Sequence, residues 1–226
     1  MAGLSDGTVD FTSGASIIVV PPTGASATQV QGTAAGGAAV VGSPVLVAGS
    51  DGTNVRTLLT DTSGHLVAQS VGYGSAASIT RPNDTTTYSA NDVIGSNAGA
   101  TAAISFTLAA GAGDIIITSC ALEIDITAVV SGMTSFNLAL YNVTPPSALG
   151  DNVAWDLPSG DRASFLGLFS LGTPVDLGST LWVGTNQLNI QVTAASASIF
   201  AYLITVGTWT PAASSVFKVT LHSVAT

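Results

Sequence analysis

Apolar and polar residues alternate along much of the chain, and a period of two predicts β-strands. The clearest run is SFNLALYNV (135–143), in which Phe136, Leu138 and Leu140 point one way and Asn137, Ala139 and Tyr141 the other. This spacing predicts one buried face and one free face. Pro145-Pro146 ends the run, because proline has no amide hydrogen to offer a sheet ladder. A long polar loop follows, carrying Asp151, Trp155, Asp156, Pro158 and Asp161. Further runs predict strands over 102–108, 115–126, 164–171, 180–183, 188–192, 199–206 and 216–224. Turn clusters separate them, among them Gly111-Ala112-Gly113-Asp114, Ser159-Gly160-Asp161 and Gly184-Thr185-Asn186. No stretch carries the 3.6-residue stripe of an amphipathic helix. The pattern makes residues 79–226 an all-β domain, and the strand count suits a jelly-roll-like β-sandwich. An immunoglobulin-like sandwich or another Greek-key fold meets the same pattern.

The strand over 199–206 breaks the alternation. Ile199, Ala201, Leu203 and Thr205 form one face, and Phe200, Tyr202, Ile204 and Val206 the other. Both faces are apolar, so both are expected to be covered. Either a loop or a small meander upstream, over 43–78, covers the second face, or it is a subunit interface with Phe200, Tyr202, Ile204 and Val206 as oligomer contacts. The last strand is simpler, with Phe217, Val219 and Leu221 inward and Lys218, Thr220 and His222 outward. The lone cysteine, Cys120, falls on the apolar side of the strand over 115–126 with Ile116, Leu122, Ile124 and Ile126. It reads as a small buried hydrophobe.

Upstream of this domain the pattern weakens. Residues 43–78 hold PVLVAGS, VRTLLTD and HLVAQSV, broken by Asp51-Gly52 and Ser63-Gly64, and predict a small β-meander that has to pack on something to be stable. Residues 1–42 are rich in Gly, Ala, Ser and Thr. Their one apolar cluster, Ile17-Ile18-Val19-Val20, stops at Pro21-Pro22, and GTAAGGAAVVG (32–42) has too little side chain for a core. This segment reads as a disordered terminus or as an extended N-terminal arm that orders against a partner, with Phe11, Ile17, Ile18, Val19 and Val20 as its contacts. No basic stretch followed by a hydrophobic run opens the chain, which predicts synthesis in the cytoplasm and use without export.

Composition narrows the chemistry. Only 8% of the 226 residues are charged, against ~25% in an ordinary domain. The surface is therefore built from Ser, Thr, Asn and Gly. The net charge is −9, with Arg56, Arg81, Arg162 and Lys218 the only Lys or Arg residues. Nucleic acid is an unsuitable partner, since phosphate binding needs clustered cations. No window reaches the ~18 apolar residues of a membrane helix.

Motifs of catalysis are missing: there is no G-x-S-x-G elbow, and the two histidines, His65 and His222, have no ligand-spaced partners. Glu123 and Asp125 share a strand face but read as solvated acids. Asp151, Asp156 and Asp161 lack the spacing of a calcium loop. Asn83-Asp84-Thr85 and Asn142-Val143-Thr144 match the glycosylation sequon, which has no meaning without export. Neither enzyme activity, cofactor nor metal is expected. Trp155, Trp182 and Trp209 raise glycan binding as an alternative, although at least one of them is expected in the core.

Several stretches resemble tailed-phage virion structural proteins. They are VQGTAAGGAAVVGSPVLVAGSDGTNVRTLLTDTSGHLVAQ (30–69), ITRPNDTTTYSANDVIG (79–95), LYNVTPPSALGDNVAWDLPSGDR (140–162) and LGTPVDLGSTLWV (171–183). The arm, the meander, the compact β domain and the low charge make capsid decoration, or cement, proteins the most similar kind. The resemblance implies a homotrimer on the outer capsid surface, with the major capsid protein as partner and stabilisation of the shell as function. It supplies no catalytic residues. A tail-fibre or receptor-binding protein that recognises host surface glycan is the alternative.

Overall fold

A computed structural model describes residues 48–50, 55–57, 71–97, 99 and 101–225. The chain divides into two units, Met1–Ala68 and Gln69–Thr226. In the first, β1 (Ala48–Ser50) pairs antiparallel with β2 (Val55–Thr57), Gly49 opposite Arg56. The two strands fall within the expected runs PVLVAGS and VRTLLTD, and Asp51-Gly52 lies outside the described residues. The expected arm, with Phe11 and Ile17–Val20, and His65 lie outside the described residues.

The second unit is all β among its described residues. Its strands are β3 (Gly72–Thr80), β4 (Val93–Ile94), β5 (Ile104–Thr107), β6 (Gly113–Ile124), β7 (Phe136–Tyr141), β8 (Phe165–Gly172), β9 (Val175–Asp176), β10 (Leu181–Ala194), β11 (Ser198–Thr205) and β12 (Val216–Ala225). One sheet has the order β3-β12-β6-β10-β9, the other β4-β11-β7-β8, with β5 also pairing β11. Every pairing is antiparallel. The two sheets form a sandwich. Its core holds Ile117, Leu122 and Ile124 of β6, Phe136 and Leu138 of β7, Leu203 of β11, and Phe217, Val219 and Leu221 of β12.

Three differences from the expected strands have local causes. First, β3 enters the first sheet at Gly72, so the expected boundary at 78/79 falls inside a strand. GYGSAAS has no apolar alternation because β3 is an edge strand whose residues are mostly small. Second, 180–183 and 188–192 are one strand, β10, and Gly184-Thr185-Asn186 is not a turn. The break in pattern comes from a bulge after Asn186, where Gln187 (φ 66°) and Asn189 (φ 47°) turn left-handed. Third, the inward face of β6 changes parity. Ile115 and Ile117 are buried on one side of Thr118, Cys120 and Leu122 on the other. Ile116, expected beside Cys120, is only half-buried. Both neighbouring strands shift register at this point, which is what an inserted residue does to a ladder.

Strand β11 is apolar on both faces because it is covered twice. Ile199, Ala201 and Leu203 face the inter-sheet core. Tyr202 and Ile204 join a second cluster with Val93, Ala102, Ala139 and Tyr141, over which Leu149, Trp155 and Leu157 of the loop 142–164 pack. Of the covers expected for this face, a loop of the same chain packs on it. Tyr202 and Ile204 are 0% and 1% exposed, Phe200 and Val206 half-buried. The expected free face of β7 is closed for the same reason, with Ala139 and Tyr141 at 0%.

The Tyr202 hydroxyl accepts from Leu149 N–H at 3.1 Å and donates to Ser147 C=O at 3.0 Å, pinning the loop from beneath. Tyr202→Phe leaves both loop groups without this partner. We expect a loss of about 1–2 kcal/mol in urea unfolding and faster protease cleavage within 142–164. Ile204→Asp would place an unpaired charge in the same cluster, and we expect it to reduce soluble folded protein outright.

Candidate functional site

The sandwich is closed at one end by a buried polar network. Arg81 follows directly on β3, and its backbone N–H donates to Ser215 C=O at 3.0 Å, continuing the strand pairing. Its side chain is 0% exposed. Nε donates to the Tyr88 hydroxyl, and Tyr88 in turn donates to Asp151 Oδ1. Nη2 reaches Asp151 Oδ2 at 3.2 Å and Asp84 Oδ1 at 3.4 Å. Nη1 donates to Asp84 C=O at 3.3 Å. The guanidinium also lies 4.7 Å from the Tyr88 ring centroid. Asp151 Oδ1 accepts a further bond from Gly95 N–H at 2.8 Å.

This geometry explains why the chain bends as it does. Gly95 passes so close to the loop that a Cβ there would lie 2.5 Å from Ala102 Cβ and 3.1 Å from Asp151 N. The segment 91–102 is zipped to 149–155 by Val93 N–H to Val153 C=O, Asn152 N–H to Val93 C=O, Trp155 N–H to Asn91 C=O, Asp151 N–H to Asn97 C=O and Ala102 N–H to Leu149 C=O. Asn152, at φ 60°, turns its side-chain amide so that it donates to Thr87 C=O and Asp92 Oδ2. At the far end of the loop, Asp161 accepts from Ser147 N–H and Oγ–H. Beneath, Tyr88 packs on Trp209, which stacks edge-on against Phe136 and donates from Nε1 to Thr205 Oγ1 at 2.7 Å.

Burial and the neighbouring Asp151 carboxylate both push the Tyr88 phenol well above its ordinary pKa. Burial likewise raises Tyr141. The Cys120 thiol is pushed up to about 12 by burial, as a structural cysteine requires.

The expected candidates are scattered rather than gathered. Asp151 and Asp161 are buried in separate hydrogen-bond sets and Asp156 is exposed. No group of three metal-capable side chains occurs among the described residues. Glu123 faces Lys218 at 2.9 Å, and Asp125 lies beyond the end of β6. The tryptophans separate too. Trp209 is core at 2% exposed, Trp155 is half-buried with Nε1 donating to the Tyr141 hydroxyl at 3.2 Å, and Trp182 is 37% exposed. The Arg81–Tyr88–Asp151 set was missed by sequence reasoning. Its one signal was the cation itself, one of only four Lys or Arg residues in the chain and placed directly before Pro82. Arg81, Tyr88 and Asp151 are buried and Asp84 is the member of the set that meets solvent, so the set holds elements of the fold together.

No protein-family model matches the sequence, and no curated protein matches it. Among solved structures, the chain is similar to one from a crystal structure of the T13 viral particle of IBDV, at 14% identity and a TM-score of 0.25. The alignment covers 82% of this chain and 40% of that one, so the chain spans less than half the length of the protein it aligns with.

Removing one partner of a buried ion pair strands the other. Asp151→Ala removes the one buried carboxylate that faces the Arg81 guanidinium and leaves it the Tyr88 hydroxyl, backbone carbonyls and the half-exposed Asp84, and we expect a loss of about 3–5 kcal/mol in denaturant unfolding. Alkali gives a second check. The folded pKa of Tyr88 lies above its unfolded value of ~10. Its contribution is therefore complete below pH ~10 and is lost as pH rises beyond it, because the unfolded chain ionises first. Tyr88→Phe should flatten the decline in melting temperature above pH ~10 while lowering stability at neutral pH.

Proposed function

We propose that this chain is a structural protein of a viral particle, and within that class a capsid decoration protein that binds the outer capsid surface and bridges neighbouring capsid subunits. The observation that carries the reading is where two of the phage-like stretches meet. ITRPNDTTTYSANDVIG supplies Arg81, Tyr88 and Gly95, and LYNVTPPSALGDNVAWDLPSGDR supplies Asp151. These join in one closed network. Two of the four stretches in which the chain resembles virion proteins thus supply the residues that lock the sandwich, with Arg81, Tyr88 and Asp151 buried. What remains for a partner is a charge-poor surface.

In this reading the mechanism is adhesion through buried area and hydrogen bonds, with no turnover. The major capsid protein is the partner. Residues 1–42, with Phe11 and Ile17–Val20, serve as an arm that adds to the capsid surface, and β-augmentation is the chemistry available to such a segment. A homotrimer of sandwiches sits on the shell. Tyr202 and Ile204 are already covered by their own chain, so the trimer has to use other surface, with Phe200 and Val206 at its margin.

Copy number tests this most cheaply. A decoration protein is present in numbers comparable to the capsid protein, a tail fibre in a few copies. Quantitative mass spectrometry of purified particles should give the former, and a few copies per particle would overturn it. Attachment should also survive EDTA and ~1 M salt, where screening reaches within ~3 Å. Deleting 1–42 should weaken attachment and leave the unfolding transition of the sandwich unchanged.

A further inference from the structure

The outward face of the first sheet carries a feature that the closed network and the capsid reading do not use. Register places Val175, Trp182, Glu123, Lys218 and Ser78 in one row across β9, β10, β6, β12 and β3. The next outward row is Gly184, Ala121, Thr220 and Ala76, and the third brings His222 beside Gly74. Two rings on this face lie over glycines. A Cβ on Gly184 would fall 2.4 Å from Trp182 Cζ2 and 2.6 Å from Cη2, so the six-membered ring of the indole covers that backbone. A Cβ on Gly74 would fall 3.0 Å from His222 Nδ1 and 3.1 Å from Cε1. Both rings still meet solvent, Trp182 at 37% exposed and His222 exposed on the same face. Between the two rings the floor is Ala121, Thr220 and Ala76. Three strand spacings and one row set the rings roughly 15 Å apart.

Beside the indole stands the Glu123–Lys218 pair. The two side chains are 2.9 Å apart, and 42% and 45% exposed. Each keeps part of its hydrogen-bonding capacity open to solvent, one an acceptor and the other a donor. We propose that this face binds a neutral oligosaccharide, with Trp182 and His222 as stacking rings and Glu123 and Lys218 bonding the hydroxyl rim. A pyranose has an apolar C–H face that stacks on an aromatic ring and an equatorial rim of hydroxyls that need donors and acceptors at the ring's edge. The floor of small side chains leaves room for a chain of sugars between the rings. The choice of a neutral sugar follows from charge: Lys218 is the one cation in this part of the sheet, it is already matched by Glu123, and the protein as a whole is at −9. The site does not depend on whether the protein decorates a capsid.

The test uses the full chain. Maltohexaose, cellohexaose, a galacto-oligosaccharide and, as the anionic control, oligogalacturonate are titrated while tryptophan fluorescence and heat are followed. Binding of at least one neutral probe is expected, with none for oligogalacturonate. Trp182→Ala should weaken that binding tenfold or more, and Glu123→Gln should weaken it severalfold. Neither should move the unfolding transition much, since both side chains are exposed. Gly184→Ala keeps the tryptophan but lifts the ring off the backbone, and should weaken binding as well. Leu177→Ala, at an exposed residue beyond β9, should change nothing. The proposal is overturned if no neutral probe binds, or if binding survives Trp182→Ala. It is also overturned if Trp182→Ala abolishes attachment to purified particles while no sugar binds; the face would then be a protein contact.

Discussion

A guanidinium with no exposed side-chain surface is the constraint on which the rest of this fold turns. A buried cation without partners costs several kcal/mol, and the Arg81 side chain is 0% exposed. The chain meets that cost by bringing Tyr88, Asp84 and Asp151 around it, and Asp151 comes from the middle of the loop 142–164, the longest among the described residues. Once Asp151 is held there, the loop from 142 to 164 has to lie across the second sheet. That placement makes β11 a strand with two covered faces and closes the outer face of β7. Gly95 belongs to the same arrangement, because only a residue without a side chain lets the two segments come close enough to zip.

The arrangement also divides the molecule by role. Inside, aromatic side chains from four segments meet around Trp209, and each of its hydrogen-bonding groups is used. Outside, the surface has few charges and an outward sheet face of small residues with one exposed tryptophan.

The all-β class was legible in the sequence because alternation is a local property. The strands at 135–143, 199–206 and 216–224 are in place to within two residues, and the inward set Phe217, Val219, Leu221 is buried as expected. What was hidden depends on neighbours. The parity change in β6 and the left-handed residues of β10 exist only because three strands must stay in register around Thr118. β3 was invisible because an edge strand of Gly, Ala and Ser needs little apolar pattern. The two apolar faces of β11 were plain, but what covers the second one was not, since that depends on where Asp151 is tethered. The Arg81–Tyr88–Asp151 set joins residues 63 and 70 positions apart, and no short-range pattern signals such a meeting.

If Arg81 is what draws the loop down, its removal should release that loop before it disturbs the sheets. Hydrogen exchange read by mass spectrometry on Arg81→Met measures this directly. The account predicts faster exchange over 91–102 and 147–161, with the amides of β6 and β12 still protected. Unchanged exchange in the loop, or equal loss of protection throughout the sandwich, would contradict it.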